Sequence, residues 1–231
     1  MTNLRSEAIA IVRRVGWFSR LPDQLQSELL DVARPFRLEP GETVFRVEGP
    51  PGGMFGICSG CMAVEAAQSD RPPQKGLLLH PGVWIGEGVI AGRNSRLVGV
   101  RATRPSVLLA IDMSGFGRVA ARHPDLWRHL ALLAVENQAR SIGLAEDLML
   151  RGSRTRLAAL LLRLAGLRED HPPDPATIDA TQSEIAAIAN LARSVVSTWL
   201  LKMERDGAVH LKRAAVEILD AEYLRRHARP R

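Results

Sequence analysis

The chain has 231 residues, of which 46% are hydrophobic and 24% charged, with two cysteines and a formal charge of +6. That balance excludes a disordered chain or a coiled-coil rod, and the length accommodates two domains. No run approaches 18 consecutive apolar residues, and the first residues mix Arg5, Glu7, Arg13 and Arg14 with apolar side chains, so the expectation is a cytoplasmic protein with neither membrane span nor signal peptide. Residues 151–231 carry 14 Lys and Arg against 10 Asp and Glu, whereas the first 150 residues carry 17 against 15. The smaller end is therefore the more basic one, which favours a polyanionic partner there.

In chain order, Ile9 and Val12 within residues 4–15, and Leu25, Leu29 and Val32 within residues 22–33, predict two short opening helices, with Pro22 at a helix start. From Phe36 the pattern changes to short apolar runs separated by Pro40-Gly41, residues 49–53, Ser59-Gly60, Pro72-Pro73, Pro81-Gly82 and Gly92. Strands are predicted at Thr43–Arg46, Met54–Cys58, Met62–Ala66, Leu77–His80, Leu97–Ala102 and Val107–Ile111, and their even spacing favours a β roll or barrel. Cys58 and Cys61 are spaced C-x-x-C, but a zinc site or an iron–sulfur cluster needs ligands that no second cysteine pair supplies. Ser59-Gly60 between them reads as a tight turn, and no metal, haem or iron–sulfur cofactor is expected.

Phe116–Ala121 is predicted as a short helix, followed by a long one from His123-Pro124 to about Leu150, roughly 40 Å at 1.5 Å per residue. Leu130, Ala134, Ser141, Leu144 or Ala145, and Leu148 make a seam along it that suits a homodimer. Arg151-Gly152-Ser153 breaks this helix and predicts a hinge, with Ser153 capping a next helix whose stripe is Leu157, Leu160, Leu161 and Leu164. Residues 168–175, with Pro172, Pro173 and Pro175, are a surface loop, and Thr177–Asp179 a short strand.

Thr181 and Glu184 then form a capping box, in which hydroxyl and carboxylate each satisfy a free N–H of the first helical turn. The helix it starts carries Ile185, Ile188 and Ala189 on one side and ends at Asn190, a residue that tolerates the left-handed conformation. After a three-residue turn a second helix buries Val196, Trp199, Leu200 and Met203, while Arg193, Ser194, Ser197, Thr198, Lys202 and Arg205 fall largely on the other face. Ala192 stands where a capping Ser or Thr is usual, and Gly207 closes the helix. No carboxylate appears before Glu204, so the leading half presents cations and hydroxyls, groups suited to phosphates and base edges. Ala208–Leu211 and Val216–Leu219 are predicted as a hairpin with Lys212 and Arg213 at its tip, a basic wing beside a helix-turn-helix. The residues expected to touch DNA are Arg193, Ser194, Ser197, Thr198 and Lys202 on the second helix and Lys212 and Arg213 on the wing.

Residues 18–21 (Phe-Ser-Arg-Leu), 41–45 (Gly-Glu-Thr-Val-Phe), the Ser59-Gly60 turn, Ile85-Gly86-Glu87 and Val100-Arg101-Ala102, followed by residues 181–186 (Thr-Gln-Ser-Glu-Ile-Ala), residues 193–204 and Gly207, resemble the Crp/Fnr family of bacterial transcription regulators over nearly the whole chain. The resemblance implies an α+β chain with a cyclic-nucleotide-binding-like β roll at residues 1–121, a dimerisation helix at 122–151 and a winged helix-turn-helix at 152–231. It implies a sequence-specific DNA-binding regulator, acting as a homodimer on a two-half-site operator of double-stranded DNA, with RNA polymerase and a small-molecule effector as further partners and no membrane. The family holds a cyclic nucleotide with a Gly-Glu pair on the ribose and an Arg-Ser pair on the phosphate, and Gly86, Glu87, Arg96 and Ser141 match its effector residues. Leu97 stands where that serine is found and Ile142 replaces a polar neighbour of Ser141, so cyclic AMP is not expected as a tight effector. No Walker loop, His-Glu-x-x-His or Gly-x-Ser-x-Gly motif suggests an enzyme. The rival reading is a ligand-binding or protein-interaction module that keeps the helix-turn-helix shape without reading DNA, and DNA binding itself separates the two.

Overall fold

In the computed structural model, which describes residues 2–66 and 74–229, the chain forms two compact units, residues 1–71 with 79–139 and residues 72–78 with 140–231. The Pro72-Pro73 turn lies outside the described residues. The first unit opens with helices α1 (Thr2–Val12), α2 (Gly16–Ser19) and α3 (Asp23–Val32). Strands β1 (Arg34–Leu38), β2 (Thr43–Phe45), β3 (Gly53–Ser59), β4 (Met62–Ala66) and β6 (Trp84–Ile85) follow, then α4 (Glu87–Ile90), β7 (Gly99–Ala102) and β8 (Ser106–Asp112), while β5 (Gln74–Leu79), between β4 and β6 in the chain, is counted with the second unit up to residue 78. Two four-stranded sheets result, with orders β1-β8-β3-β6 and β2-β7-β4-β5. β1 and β6 were not foreseen: β1 contains Pro35, which has no N–H to give a ladder and is tolerated because β1 lies at a sheet edge, and β6 has two residues. The Ser59-Gly60 turn joins β3 to β4 as expected, with Gly60 at φ 87°.

One apolar cluster ties the helices to the first sheet. Trp84 stacks on Phe18 with ring centroids 5.1 Å apart, and Trp17 meets Trp84 edge-on at 5.8 Å. The Trp84 ring covers Gly56, where a Cβ would lie 2.4 Å from Cε2, so only glycine fits beneath it. Leu126, Leu130 and Leu133 enter the same core from helix α6 (Leu126–Met149), which follows α5 (Met113–Arg122), and the Trp17 indole donates to the His129 carbonyl at 2.7 Å. The Asp112 carboxylate accepts from Gly115 N–H and starts α5.

Burial of Leu130 takes the first residue out of the expected seam, whereas Ala134, Ser141 and Ala145 stay exposed. Leu126, Leu130 and Leu133 face the core, and a second exposed stripe runs one residue further on through Ala131, Val135, Gln138, Ile142, Ala145 and Met149, spaced alternately four and three apart. Val135, Ile142 and Met149 are 59%, 51% and 81% exposed. Both registers carry apolar residues, and only the demands of the core distinguish them.

In the second unit α7 (Ser153–Leu164) buries seven of its side chains, among them Leu157, Leu160, Leu161 and Leu164. Gly152, at φ 85°, precedes it, and Ser153 is its first residue rather than its cap: the hydroxyl accepts instead from the Trp199 indole at 3.1 Å. Strand β9 (Thr177–Ile178), α8 (Gln182–Ala189), α9 (Arg193–Arg205), the hairpin β10 (Val209–Lys212) and β11 (Ala215–Ile218), and α10 (Ala221–His227) complete the unit, with sheet order β10-β11-β9. Lys212 pairs with Ala215, so the hairpin turns on Arg213-Ala214, two residues fewer than predicted, and α10 was not anticipated.

The last turns of α6 are fixed within this unit by charge. Asp147, 4% exposed, places Oδ2 at 2.6 Å from Arg163 Nε and Oδ1 at 3.0 Å from an Arg168 nitrogen. Gly143 leaves the space that the Arg163 guanidinium occupies, since a Cβ would meet it at 2.5 Å. Glu169 is held bidentately by Arg140, at 3.1 and 2.8 Å. Asp147→Asn should destabilise the second unit by about 3 kcal/mol, because it leaves two arginines facing a buried neutral amide. Loss of hydrogen-exchange protection at the α7 amides is the readout.

In the first unit Arg122, and then His123, hydrogen-bond to Glu28 and hold its carboxyl down at about 2. The resulting stabilisation is present above the unfolded value of about 4.3 and lost as pH falls toward 2. The stability difference between wild type and Glu28→Gln should therefore shrink from pH 5 to pH 2, as followed by chemical denaturation.

Candidate nucleic-acid interface

The helix-turn-helix is built from satisfied helix ends. Thr181 Oγ1 accepts from Glu184 N–H at 3.2 Å and Glu184 Oε2 accepts from Thr181 N–H at 2.8 Å, the expected capping box. α8 buries Ile185, Ala186, Ile188 and Ala189, and Asn190 closes it in the left-handed conformation, φ 50°. Arg156 of α7 fixes the turn, donating to the carbonyls of Ala189 and Asn190 at 3.4 and 3.3 Å and to that of Leu150 at 3.1 Å. One guanidinium thus serves unsatisfied carbonyls at the ends of two helices. Nothing local in the sequence marks Arg156 for this, because its partners lie up to 34 residues away.

α9 rests on Val196, Leu200 and Met203, all buried, and on Trp199, whose ring has the Arg154 guanidinium 5.7 Å from its centroid. Ala192 precedes it without a side-chain cap, as read from the sequence. The outer face exposes Arg193, Ser194, Thr198, Leu201, Lys202 and Arg205, with Ser197 half-buried. Thr198 Oγ1 donates to the Ser194 carbonyl at 2.8 Å, so its hydroxyl proton stays within the helix. Glu204 turns back toward the wing, where Oε1 accepts from Leu211 N–H at 2.8 Å. The leading half of the face therefore remains free of carboxylates. Gly207, φ 74°, ends the helix, with Ala208 N–H returning to the Met203 carbonyl at 2.8 Å.

Arg193, Ser194, Ser197, Thr198 and Lys202 lie on this one helix, with Lys212 and Arg213 on the adjoining hairpin. Their charges differ in availability. Arg193 and Arg213 make no ion pair among the described residues. Lys202 lies 3.2 Å from Asp206 Oδ2 and Lys212 2.8 Å from Glu217 Oε2. Lys212 holds the Glu217 carboxyl below its ordinary range.

The candidate effector residues divide between the units. Gly86, Glu87 and Arg96 lie together in the first, and Ser141 is an exposed residue of α6 in the second. Gly86 adopts φ 100°, and a Cβ there would lie 2.6 Å from the Gly53 carbonyl oxygen and 2.8 Å from Arg96 Nη1. Arg96 is 5% exposed: it donates to the carbonyls of Pro51 and Gly53, and its guanidinium lies 4.1 Å from the Phe45 ring centroid. Its Nε has no hydrogen-bond partner among the described residues. Burial lowers the pKa of Arg96, and the Glu87 charge works in the opposite direction without a direct ion pair. Leu97, the next residue, is 67% exposed. Gly86 and Arg96 thus stand side by side, with the guanidinium engaged by the carbonyls of Pro51 and Gly53.

Comparison with known proteins agrees with both halves of this description. Residues 35–123 match the cyclic nucleotide-binding domain and residues 155–227 the Crp-like helix-turn-helix domain. The HTH-type transcriptional regulator Cmr of Mycobacterium tuberculosis is 26% identical over 228 residues, which is 95% of this chain and 90% of that protein. The cyclic AMP receptor protein of Thermus thermophilus is 30% identical over 148 residues, 64% of this chain. The chain spans 66% of that receptor's length and 32% of a Rhodopseudomonas palustris protein named as a potassium channel protein, to which it is 26% identical over 135 residues. The solved structure of FixK2 from Bradyrhizobium japonicum shares the fold, with a TM-score of 0.70 at 15% identity over 87% of this chain and 99% of that one. With a cyclic nucleotide-binding domain, a long helix and a Crp-like helix-turn-helix following one another in a single chain, the protein belongs to the Crp/Fnr family of transcription regulators.

Proposed function

We propose that this chain regulates transcription by binding double-stranded DNA sequence-specifically as a homodimer, one α9 entering the major groove of each half-site. The observation that carries the reading is the leading half of α9. There, exposed Arg193 and Ser194 lie in a stretch without carboxylates, on a helix held from behind by Val196, Leu200 and Met203. An unpaired arginine at the start of such a helix suits bidentate contact with guanine, and hydroxyls suit any base edge. The α6 stripe supports the dimer: a stripe spaced four and three apart, apolar except for Gln138, is the pattern two parallel copies bury against each other, and a twofold axis would carry two reading helices to sites about 34 Å apart. RNA polymerase and a small-molecule effector belong to the same proposal, and nothing in the site calls for catalysis.

Cyclic AMP is not the tight effector under this reading. A hydrogen bond to a charged phosphate contributes roughly 1.5–3 kcal/mol, and Leu97 offers none where the family has a serine. Arg96 already gives its Nη2 to the Pro51 and Gly53 carbonyls, which leaves fewer of its donors for an anion.

Random-site selection with the purified protein, with and without cyclic nucleotides, tests the central reading. A palindromic consensus is expected, and Arg193→Ala should cost about 1–3 kcal/mol and relax preference at one position of each half-site. Unchanged preference at every position would remove α9 from the groove. Ile142→Asp should shift the protein to monomer in sedimentation and weaken operator binding together. For the effector, calorimetric titration with cyclic AMP and cyclic GMP should show no complex in the low micromolar range. Such a complex, abolished by Arg96→Ala, would overturn the effector reading and leave DNA binding intact.

A further inference from the structure

The cations on the outer face of α9 are not equivalent, and the difference originates in α10. Arg193 makes no ion pair among the described residues, and Arg205 reaches only the Leu201 carbonyl of its own helix, at 3.4 Å. Lys202, at the edge of the face, has its ammonium 3.2 Å from Asp206 Oδ2. The same oxygen accepts a 2.6 Å hydrogen bond from the hydroxyl of Tyr223, the sole tyrosine of the chain. Tyr223 is anchored: Asp220 accepts from its N–H at 2.9 Å, its ring stacks on His227 with centroids 4.1 Å apart, and the next residue, Leu224, is fully buried. Tyr223 first, and then Lys202, hold the Asp206 carboxyl below its ordinary range, so a full negative charge stands there at neutral pH.

We infer that Tyr223 is a positioning residue for DNA recognition, fixing Asp206 beside Lys202 so that this lysine meets DNA without net charge. The inference rests on the DNA-binding reading above. An exposed lysine–aspartate pair four residues apart is weak and exchanges partners readily, so Lys202 alone could swing to a phosphate. The carboxylate cannot follow or withdraw, because Tyr223 holds it in place. Whichever way the lysine points, phosphates approaching this end meet an anion within reach of the cation, and few counterions are released. Sequence-independent attraction at Lys202 is reduced, while an uncompensated cation, Arg193, stands at the end where base edges are read. The ratio of specific to non-specific binding rises by suppression of the latter.

The test is the salt dependence of binding to the selected operator and to a random duplex. Asp206→Asn should steepen the slope of log K against log salt by about 0.9 for each subunit, the signature of one additional phosphate contact, and raise affinity for the random duplex several-fold without altering base preference. Adding Lys202→Ala to that variant should restore the wild-type slope, and Tyr223→Phe, which keeps the ring stack, should move the slope the same way by less. Tyr223→Phe also carries the test if Asp206→Asn does not fold. A wild-type slope in both Asp206→Asn and Tyr223→Phe, with operator binding intact, would overturn the inference and leave the DNA reading standing. So would a flattening by about 0.9 in Lys202→Ala alone, since it would mean that the lysine already binds a phosphate. Wild-type protein that selects no duplex would overturn both.

Discussion

A carboxylate removed from water must find cations of its own, and Asp147 has each oxygen taken by a different arginine, Arg163 from α7 and Arg168 from the segment after it. Breaking such a buried arrangement by deleting one partner leaves uncompensated charge, so its three members hold together or fail together. Arg140 and Glu169 add a second clasp one and a half to two turns earlier on α6. Residues 140–149 therefore belong to the same compact unit as the helix-turn-helix, although the helix that carries them begins in the other unit. The left-handed Gly152 redirects the chain inside that compact unit.

How much of this was legible in the sequence depended on the range of each interaction. The capping box at Thr181, the left-handed Asn190 and the uncapped Ala192 are set by neighbours within four residues, and each stands as read. The register of the α6 stripe could not be read in the same way, because Leu130 and Val135 are equally apolar and only the core around Trp17, Trp84 and Phe116 decides which one is covered. Ser153 has the chemistry of a cap and was read as one, but it answers to Trp199, 46 residues away. The candidate cations were identified by type alone. Whether a lysine is free or paired depends on Asp206, Glu217 and the unforeseen helix bearing Tyr223.

The effector region shows the same division. Gly86 and Glu87 follow the family pattern, and the left-handed Gly86 lets the chain pass close to the Gly53 carbonyl. Among the described residues Arg96 is buried without a carboxylate in contact, with carbonyls and an aromatic ring as its surroundings. Carbonyl dipoles and the face of a ring compensate a guanidinium less completely than a carboxylate does, and the orphaned Nε marks the shortfall. The consequence belongs to energetics: any anion that satisfied this nitrogen would also stabilise the β3–α4 corner.

Cys58, near the end of β3, and Cys61, just before β4, are both buried, and burial pushes the Cys58 thiol up to about 12. A thiol reacts as its thiolate, so at neutral pH Cys58 is almost wholly in its inert form and shielded as well. This makes the residue a clock for the β sheets. Its rate of alkylation at neutral pH counts openings of the first unit, and a ligand or DNA duplex that slowed the clock would be acting on the stability of that unit from wherever it was bound.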